Sequence, residues 1–383
     1  PRSITERSNQ TRAKVKKRVV VYKNDSMDKV LKQCLGVDVS KLSLSLSLGF
    51  LTDKLVKEFL VHDDVSNDLS GYKELLKWLK ESVDSSVDLL IVMEATGVYH
   101  QGIAHYLYEL GYSVCVMQSG RVKRYAQSLD QRSKTDALDS KMLSMLGLER
   151  ELRLWYPPSV ELQQLKMLSR ERSSLLKDKT IETNRQSAIV SGVYSDKRAS
   201  KRHKQRLKLL KDQIVCIEEE MRELISNNEF LKKKLGMLES IPGISFISAA
   251  TVIGETLGFE SIANAKQLTS YAGYDVVLRE SGNFKGKTRI SKKGNSHIRA
   301  ALHMPSMTCV RCNPSLKQFY NRLKPKKAKP LVALIAVQRK LLILMFTLWK
   351  NEEVYDANFE TKKQQKHKTL AAQDNKLINQ FVS

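Results

Sequence analysis

The stretch Leu35-Gly36-Val37-Asp38-Val39-Ser40-Lys41-Leu42-Ser43-Leu44-Ser45-Leu46-Ser47-Leu48 decides the fold class of this chain. Its first five residues are an apolar run with one acid inside, and Leu42, Leu44, Leu46 and Leu48 then alternate with serines at the two-residue period of a strand. A third short strand is expected over 59–62, and helical spacing follows over 72–79. Leu89-Leu90-Ile91-Val92-Met93 reads as a buried strand ending at Glu94, with a helix through 103–110 and a strand at 112–117 beyond it. Strands first, then helix and strand in alternation, predict an α/β domain with a mixed sheet.

Trp155-Tyr156-Pro157-Pro158 breaks this pattern and marks a boundary. Helical sequence follows. Leu207, Leu210, Ile214, Ile217, Met221, Leu224, Asn228, Leu231 and Leu235 are spaced by alternating steps of three and four, the seam of a coiled coil, with Asn228 placed to set its register. The plainer alternative is one long helix packed within a monomer. Ahead of the seam, Lys197, Arg198, Lys201, Arg202, Lys204, Arg206, Lys208 and Lys211 put eight cations in fifteen residues without an acid. Such a run points to nucleic acid, the bland reading being a solvated helix face. The expected organisation is therefore a basic arm (1–33), an α/β domain (34–154), a helical coiled-coil domain (155–237), a mainly helical C-terminal domain (238–350) and a polar tail (351–383). The most apolar stretch, 331–349, contains Gln338-Arg339-Lys340 and reads as a buried helix, not a membrane span.

Composition narrows the partners. The 383 residues carry 65 Lys+Arg against 41 Asp+Glu, a net charge of +24, which calls for a polyanion. With 42 % hydrophobic residues, disorder is excluded as the main state. Five scattered cysteines do not make a disulfide scaffold, and no apolar run follows the basic N-terminus, so a reducing cytoplasm without a secretory signal is expected.

Four carboxylates stand out by position. Asp38 lies inside an apolar strand, where an ionised acid needs compensation; Glu94 ends another; Asp136 and Asp139 share one face of a helix. Two strand acids facing a helical pair make an oxygen-rich site for Mg²⁺ (or Mn²⁺), the metals of phosphoryl transfer. Each acid also has a dull reading: Asp136 as a helix cap, Asp139 paired with Lys141 or Lys134, Glu94 as surface. Further on, Glu239-Ser240-Ile241-Pro242-Gly243-Ile244 suits the turn of a helix-hairpin-helix, whose backbone N–H groups would meet phosphate. Ser281, in Glu280-Ser281-Gly282, precedes Lys285, Lys287, Arg289, Lys292 and Lys293, so a nucleophilic serine in a cationic loop is one reading. Ser291 is an equal candidate. Cys309-Val310-Arg311-Cys312 lacks two further ligands for zinc and reads as helix cysteines, and no histidine is given a role.

Gly36-Val37-Asp38, Met93-Glu94-Ala95-Thr96-Gly97 and Lys134-Thr135-Asp136-Ala137-Leu138-Asp139 together resemble the DEDD motif of the insertion-sequence recombinases that include the bridge-RNA-guided transposases and the Piv-type DNA invertases. The resemblance spans 34–350. It implies an N-terminal RuvC-like domain of RNase H fold, a coiled coil that joins subunits, and a mainly helical C-terminal transposase domain. It also implies Mg²⁺ on Asp38, Glu94, Asp136 and Asp139, and it selects Ser281 over Ser291 as the nucleophile that forms a phosphoserine linkage to DNA. Double-stranded DNA (element ends and target), a structured guide RNA and a homo-oligomer, dimer or tetramer, are the implied partners, at the nucleoid of a bacterial or archaeal cell. Tyr274-Asp275-Val276 departs from the Gly-Leu-x-Pro turn of many relatives. Three other readings compete: a Holliday-junction-type metal-dependent nuclease, a protein-only DNA invertase, and a non-catalytic DNA-binding protein.

Overall fold

A computed structural model describes residues 29–129, 135–194, 196–278, 280–282, 284–286, 288–327 and 329–358. The basic arm up to residue 28, the tail from residue 359, and Lys134, Arg279, Asn283 and Lys287 lie outside the described residues. The chain divides into two compact units, Pro1–Pro157 and Pro158–Ser383.

The first unit is built on β1 (Val30–Val39), β2 (Ser43–Thr52), β3 (Lys57–Ser66), α1 (Leu69–Ser82), β4 (Leu89–Glu94), α2 (His100–Glu109), β5 (Ser113–Met117), α3 (Ser119–Ser128) and α4 (Asp136–Glu149). The sheet order is β3-β2-β1-β4-β5; β1, β2 and β3 form an antiparallel meander, and β4 and β5 run parallel to β1. This is the mixed α/β arrangement expected from the succession of patterns. Leu42 is the exception: it sits in the turn before β2, 77 % exposed.

Alternation sorts the strand residues onto two covered faces. Leu35, Val37, Val39, Leu44, Leu46, Leu48, Ile91 and Met93 pack with Tyr72, Leu75 and Leu79 of α1 and Ile103 and Leu107 of α2. Cys34, Val92 and Cys115 pack on the other side with Val122 and Tyr125 of α3 and Met142, Leu143 and Leu146 of α4. Leucine–serine alternation ordinarily marks a strand with one wet face. Here Ser45 and Ser47 are buried as well, because small residues let α4 settle onto the sheet. A Cβ on Gly36 would stand 2.0 Å from the Ser140 carbonyl oxygen and 2.4 Å from the Ser144 nitrogen. Ser144 Oγ donates to the Cys34 carbonyl at 2.7 Å and fastens the helix there. Replacing Gly36 with Ala therefore forces backbone apart, and we expect a loss of about 3 kcal/mol in urea unfolding of the protein, at the upper end of the overpacking range. An unchanged midpoint would contradict this close approach.

The second unit contains α5 (Val160–Ser191), α6 (Lys197–Ser226), α7 (Glu229–Glu239), α8 (Phe246–Thr256), α9 (Ala265–Tyr271), β6 (Val276–Val277), β7 (Glu280–Ser281), β8 (Phe284–Lys285), β9 (Arg289–Ile290), α10 (Ser296–Ala301), α11 (His303–Cys312), α12 (Pro314–Leu323) and α13 (Pro330–Asn351). Of the heptad-spaced residues of α6, Ile217 and Met221 are buried in this unit's own core with Leu162 and Leu165 of α5, and Ile225, which lies off that spacing, is buried there too. The expected seam does not run on to Leu235. Helix α6 ends at Ser226, and Asn228 Oδ1 accepts the Leu231 N–H at 3.0 Å and starts α7. Asn228 thus caps a helix, a position that asparagine favours, and does not set a coiled-coil register.

Helix α13 is long and apolar enough to cross a membrane by length and composition. Its Val337, Leu341, Leu342, Met345 and Trp349 belong to the core of the second unit. The mid-helix Gln338 is buried too, accepting from Tyr274 Oη at 3.0 Å and lying 3.1 Å from His303 Nδ1.

Candidate functional site

Strand register brings two of the acids side by side. The parallel pairing of β1 with β4 ends at Val37 opposite Met93, and Asp38 and Glu94 are the next residue on each strand. Both fall on the α4 face, because Cys34 and Gly36 precede Asp38, and Val92 precedes Glu94, by steps of two. Helix α4 runs back along β1, with Ser140 over Gly36 and Gly147 against Cys34. Its first turn, carrying Asp136 and Asp139, is therefore carried to the end of the sheet where Asp38 and Glu94 emerge.

The plainer reading of one acid changes in the structure. Thr135 caps α4, its Oγ1 accepting the Leu138 N–H at 3.3 Å, so Asp136 is not the cap. Asp136 and Asp139 occupy the first turn, where the helix dipole favours a carboxylate. Lys141 Nζ stands over the Phe59 ring, 4.7 Å from its centroid. Asp38, Glu94 and Asp139 are half-buried and Asp136 is exposed. Asp64 was missed from sequence, lying in the unremarkable run His62-Asp63-Asp64. It accepts from Ser45 Oγ at 2.6 Å, and Ser45 is the β2 partner of Asp38.

The four acids share an edge and a face without forming a closed cage: among the described residues, no three His, Cys, Asp or Glu side chains group tightly enough to hold an ion. The donor set is all carboxylate, which suits a hard cation such as Mg²⁺ and not a thiolate- or imidazole-seeking metal.

Ser281 lies near the tip of a β-arm. Ribbon β6–β9 pairs Val276 with Ile290, and ribbon β7–β8 pairs Ser281 with Phe284 across a turn in which Gly282 takes φ +52°. Ser281 is exposed, as are Arg289, Lys292 and Lys293; Lys285 lies in β8. Ser291 has a different task. Its Oγ donates to Asp275 Oδ1 at 2.5 Å and accepts the Lys293 N–H at 3.2 Å, holding the turn in which Lys292 adopts φ +53°. Asp275, noticed in the sequence only as a departure from a family pattern, is thus the partner of the second serine.

The arm's foot rests on a buried carboxylate. Glu255, fully buried, receives Arg170 Nε at 2.8 Å and Nη2 at 3.0 Å, and Asn295 Nδ2 at 2.7 Å. Asn295 Oδ1 in turn caps α10 through the His297 and Ile298 N–H groups. Burial opposes ionisation of Glu255, but the bonds from Arg170 and Asn295 and the Arg170 charge outweigh it and hold the carboxyl below the usual range. A folded-state value below the unfolded one, near 4.3, means that this contribution is present above that pH and is lost as pH falls through the folded value. We expect Glu255→Gln to cost about 2 kcal/mol at pH 7 and to flatten the acid side of the stability profile below about pH 4.5. Urea unfolding between pH 3 and 7 measures both, and parallel profiles for the two proteins would refute the assignment. The sequence signal was available, an acid closing the apolar run Val252-Ile253-Gly254-Glu255, the same pattern that singled out Asp38.

Other candidates take structural places. Gly243, in the turn between α7 and α8, has φ +101°, and a Cβ there would stand 2.8 Å from Cys309 Sγ, so packing of α11 demands this glycine. Cys309 is buried, which pushes its thiol up to about 12, while Cys312 is exposed on the same helix. On α6, Lys197, Arg198, Lys201, Arg202 and Lys204 are exposed. Arg206 is exposed as well and reaches back to the buried Glu182 at 3.2 Å, where His203 Nδ1 also lies at 2.5 Å.

Two family models match successive stretches of the chain. A DEDD family model described as "Transposase" matches residues 35–195, and one described as "Transposase IS116/IS110/IS902 family" matches residues 236–321. The pilin gene-inverting protein of Moraxella lacunata is 27 % identical over 330 residues, covering 85 % of this chain and 98 % of its own. The transposase for insertion sequence element IS1111A of Coxiella burnetii is 23 % identical over 239 residues, covering 55 % of this chain and 63 % of its own. Among solved structures, T. thermophilus RuvC in complex with a Holliday junction substrate matches at 10 % identity and TM-score 0.25, covering 32 % of this chain and 99 % of that one. With Asp38, Glu94, Asp136 and Asp139 inside the first family match and Ser281 inside the second, the chain belongs to the IS110/IS116/IS902 family of transposases.

Proposed function

We propose that this protein cleaves and rejoins DNA through a phosphoserine intermediate. Ser281 Oγ attacks a phosphodiester phosphorus, the P–O bond to one deoxyribose breaks, and that sugar oxygen leaves with a proton. A sugar hydroxyl of the second strand then attacks the phosphoserine and releases Ser281. The bond energy stays in the linkage, so no nucleotide hydrolysis is required. Asp38, Glu94, Asp136 and Asp139 are the residues that would hold Mg²⁺ or Mn²⁺, which when bound supplies charge stabilisation to the reacting phosphate. Arg289, Lys292, Lys293 and the neighbouring Lys285 and Lys287 hold the backbone phosphates.

The observation that carries this reading is the arrival of four acids from three elements at one edge and one face of the sheet. A nuclease restricted to these acids and water would release DNA with no protein attached. A non-catalytic binding protein would not need them. A structured guide RNA, delegating target choice to base pairing, is part of the proposal; the long match to a pilin gene-inverting protein supports DNA inversion as the second reading, in the form of an invertase that would act without RNA. The deciding experiment incubates the full chain with element ends and target DNA, with and without Mg²⁺ and after RNase treatment of the protein. Protein-linked DNA that needs Mg²⁺ and disappears with RNase is expected. Product that survives RNase selects the invertase, and cleavage without linked protein selects the nuclease.

A further inference from the structure

Helices α5 and α6 form a stalk whose far end is not used by the core. Buried residues cluster near its base, at Leu162, Leu165 and Ser169 of α5 and Ile214, Ile217, Met221 and Ile225 of α6. Beyond them Glu182 is the remaining buried side chain of α5. From Arg170 to Ser191 the stalk extends about 30 Å at the helical rise. Cross-links keep it straight: Gln186 Nε2 donates to Ser200 Oγ at 2.9 Å, and Glu182 gathers His203, Arg206 and Arg185. At the tip, Val193 is 94 % and Tyr194 97 % exposed. The first turns of α6 then present Lys197, Arg198, Lys201 and Arg202 to solvent, with Asp196 capping the helix through the Arg198 N–H.

A single exposed apolar side chain needs no explanation. An aromatic ring and a valine at the apex of a braced stalk, collared by cations, are a different arrangement. The cations select a polyanion, and the ring offers a π-face to a base. Bases in duplex DNA are already stacked, and opening them costs energy, whereas an unpaired base in an RNA loop is available without that cost. We propose that Tyr194, flanked by Val193, is a stacking platform for an unpaired loop base of a structured RNA, whose adjoining phosphates are held by Lys197, Arg198, Lys201 and Arg202. The proposal rests on the reading that RNA is a partner and assigns that partner a place and a mode of contact.

The test uses the full chain and three probes: an RNA hairpin with 2-aminopurine in its loop, a fully paired RNA duplex with the hairpin's stem sequence, and the DNA hairpin of the loop sequence. Wild-type protein is expected to quench the loop fluorophore. Tyr194→Ala should weaken hairpin RNA binding about 10-fold and abolish the quenching, Tyr194→Phe should restore both, and duplex binding should stay within about twofold. Lys201→Glu with Arg202→Glu should weaken all RNA probes and lower the salt dependence. Wild-type-like hairpin binding by Tyr194→Ala, or an equal loss on the duplex, overturns the platform while leaving RNA as a partner. An equal loss on the DNA hairpin overturns the choice of RNA, and a changed oligomeric mass in Tyr194→Ala shows a protein contact instead. If the wild type binds neither RNA probe at low salt, the RNA reading itself fails and the platform falls with it.

Discussion

Ser281→Ala is expected to abolish protein-linked DNA while leaving DNA affinity within about twofold, because one hydroxyl on an exposed β-arm is small beside the phosphate contacts that the proposed basic surface would make. Removing the attacking group of a covalent mechanism costs on the order of 10⁵-fold or more in rate. Ser291→Ala provides the contrast. Its Oγ is committed to Asp275 and the Lys293 N–H, so this variant loosens the Lys292–Lys293 turn and weakens binding but retains the adduct. Denaturing gels of radiolabelled element ends, run beside mobility-shift titrations, separate the two effects. An adduct persisting in Ser281→Ala and missing in Ser291→Ala would transfer the nucleophile to the second serine.

Asp38→Asn is expected to lower Mg²⁺-dependent strand cleavage by roughly 10³-fold, because this near-isosteric change removes one anionic oxygen from the residues that would hold the metal. The fold should survive it, since Asp38 is half-buried near the end of β1 and asparagine keeps its shape between the buried Val37 and Val39. Circular dichroism and urea midpoints check that point, and cleavage rates across Mg²⁺ and Mn²⁺ concentrations check the chemistry. Glu94→Gln should behave alike, because Glu94 is the adjacent residue at the end of the neighbouring parallel strand. Cleavage at the wild-type rate in Asp38→Asn, or in wild type after chelation, would remove the acids from the mechanism.

The strands of the first unit and its helices α1 and α2 were legible because their side chains alternate or recur with the period of the structure they form, whereas α3 was not read. Their ends were less so: β1 begins at Val30 and β2 runs to Thr52, residues held by backbone pairing that side-chain pattern does not report. The three-and-four spacing around Asn228 misled for a definite reason, since asparagine fits both a polar seam position and a helix cap, and only the break after Ser226 distinguishes them.

By itself the sequence determined the α/β-then-helical succession, the basic charge and the acids set at strand and helix ends, since periodicity and composition are local properties of a chain. Tertiary structure alone decided that Gly36 admits α4 so closely that the first turn of α4, with Asp136 and Asp139, comes to the same end of the sheet as Asp38 and Glu94. It alone paired Ser291 with Asp275, and Glu255 with an arginine 85 residues away. Those outcomes depend on which backbones can touch, and contact between distant segments leaves no period in the order of the residues.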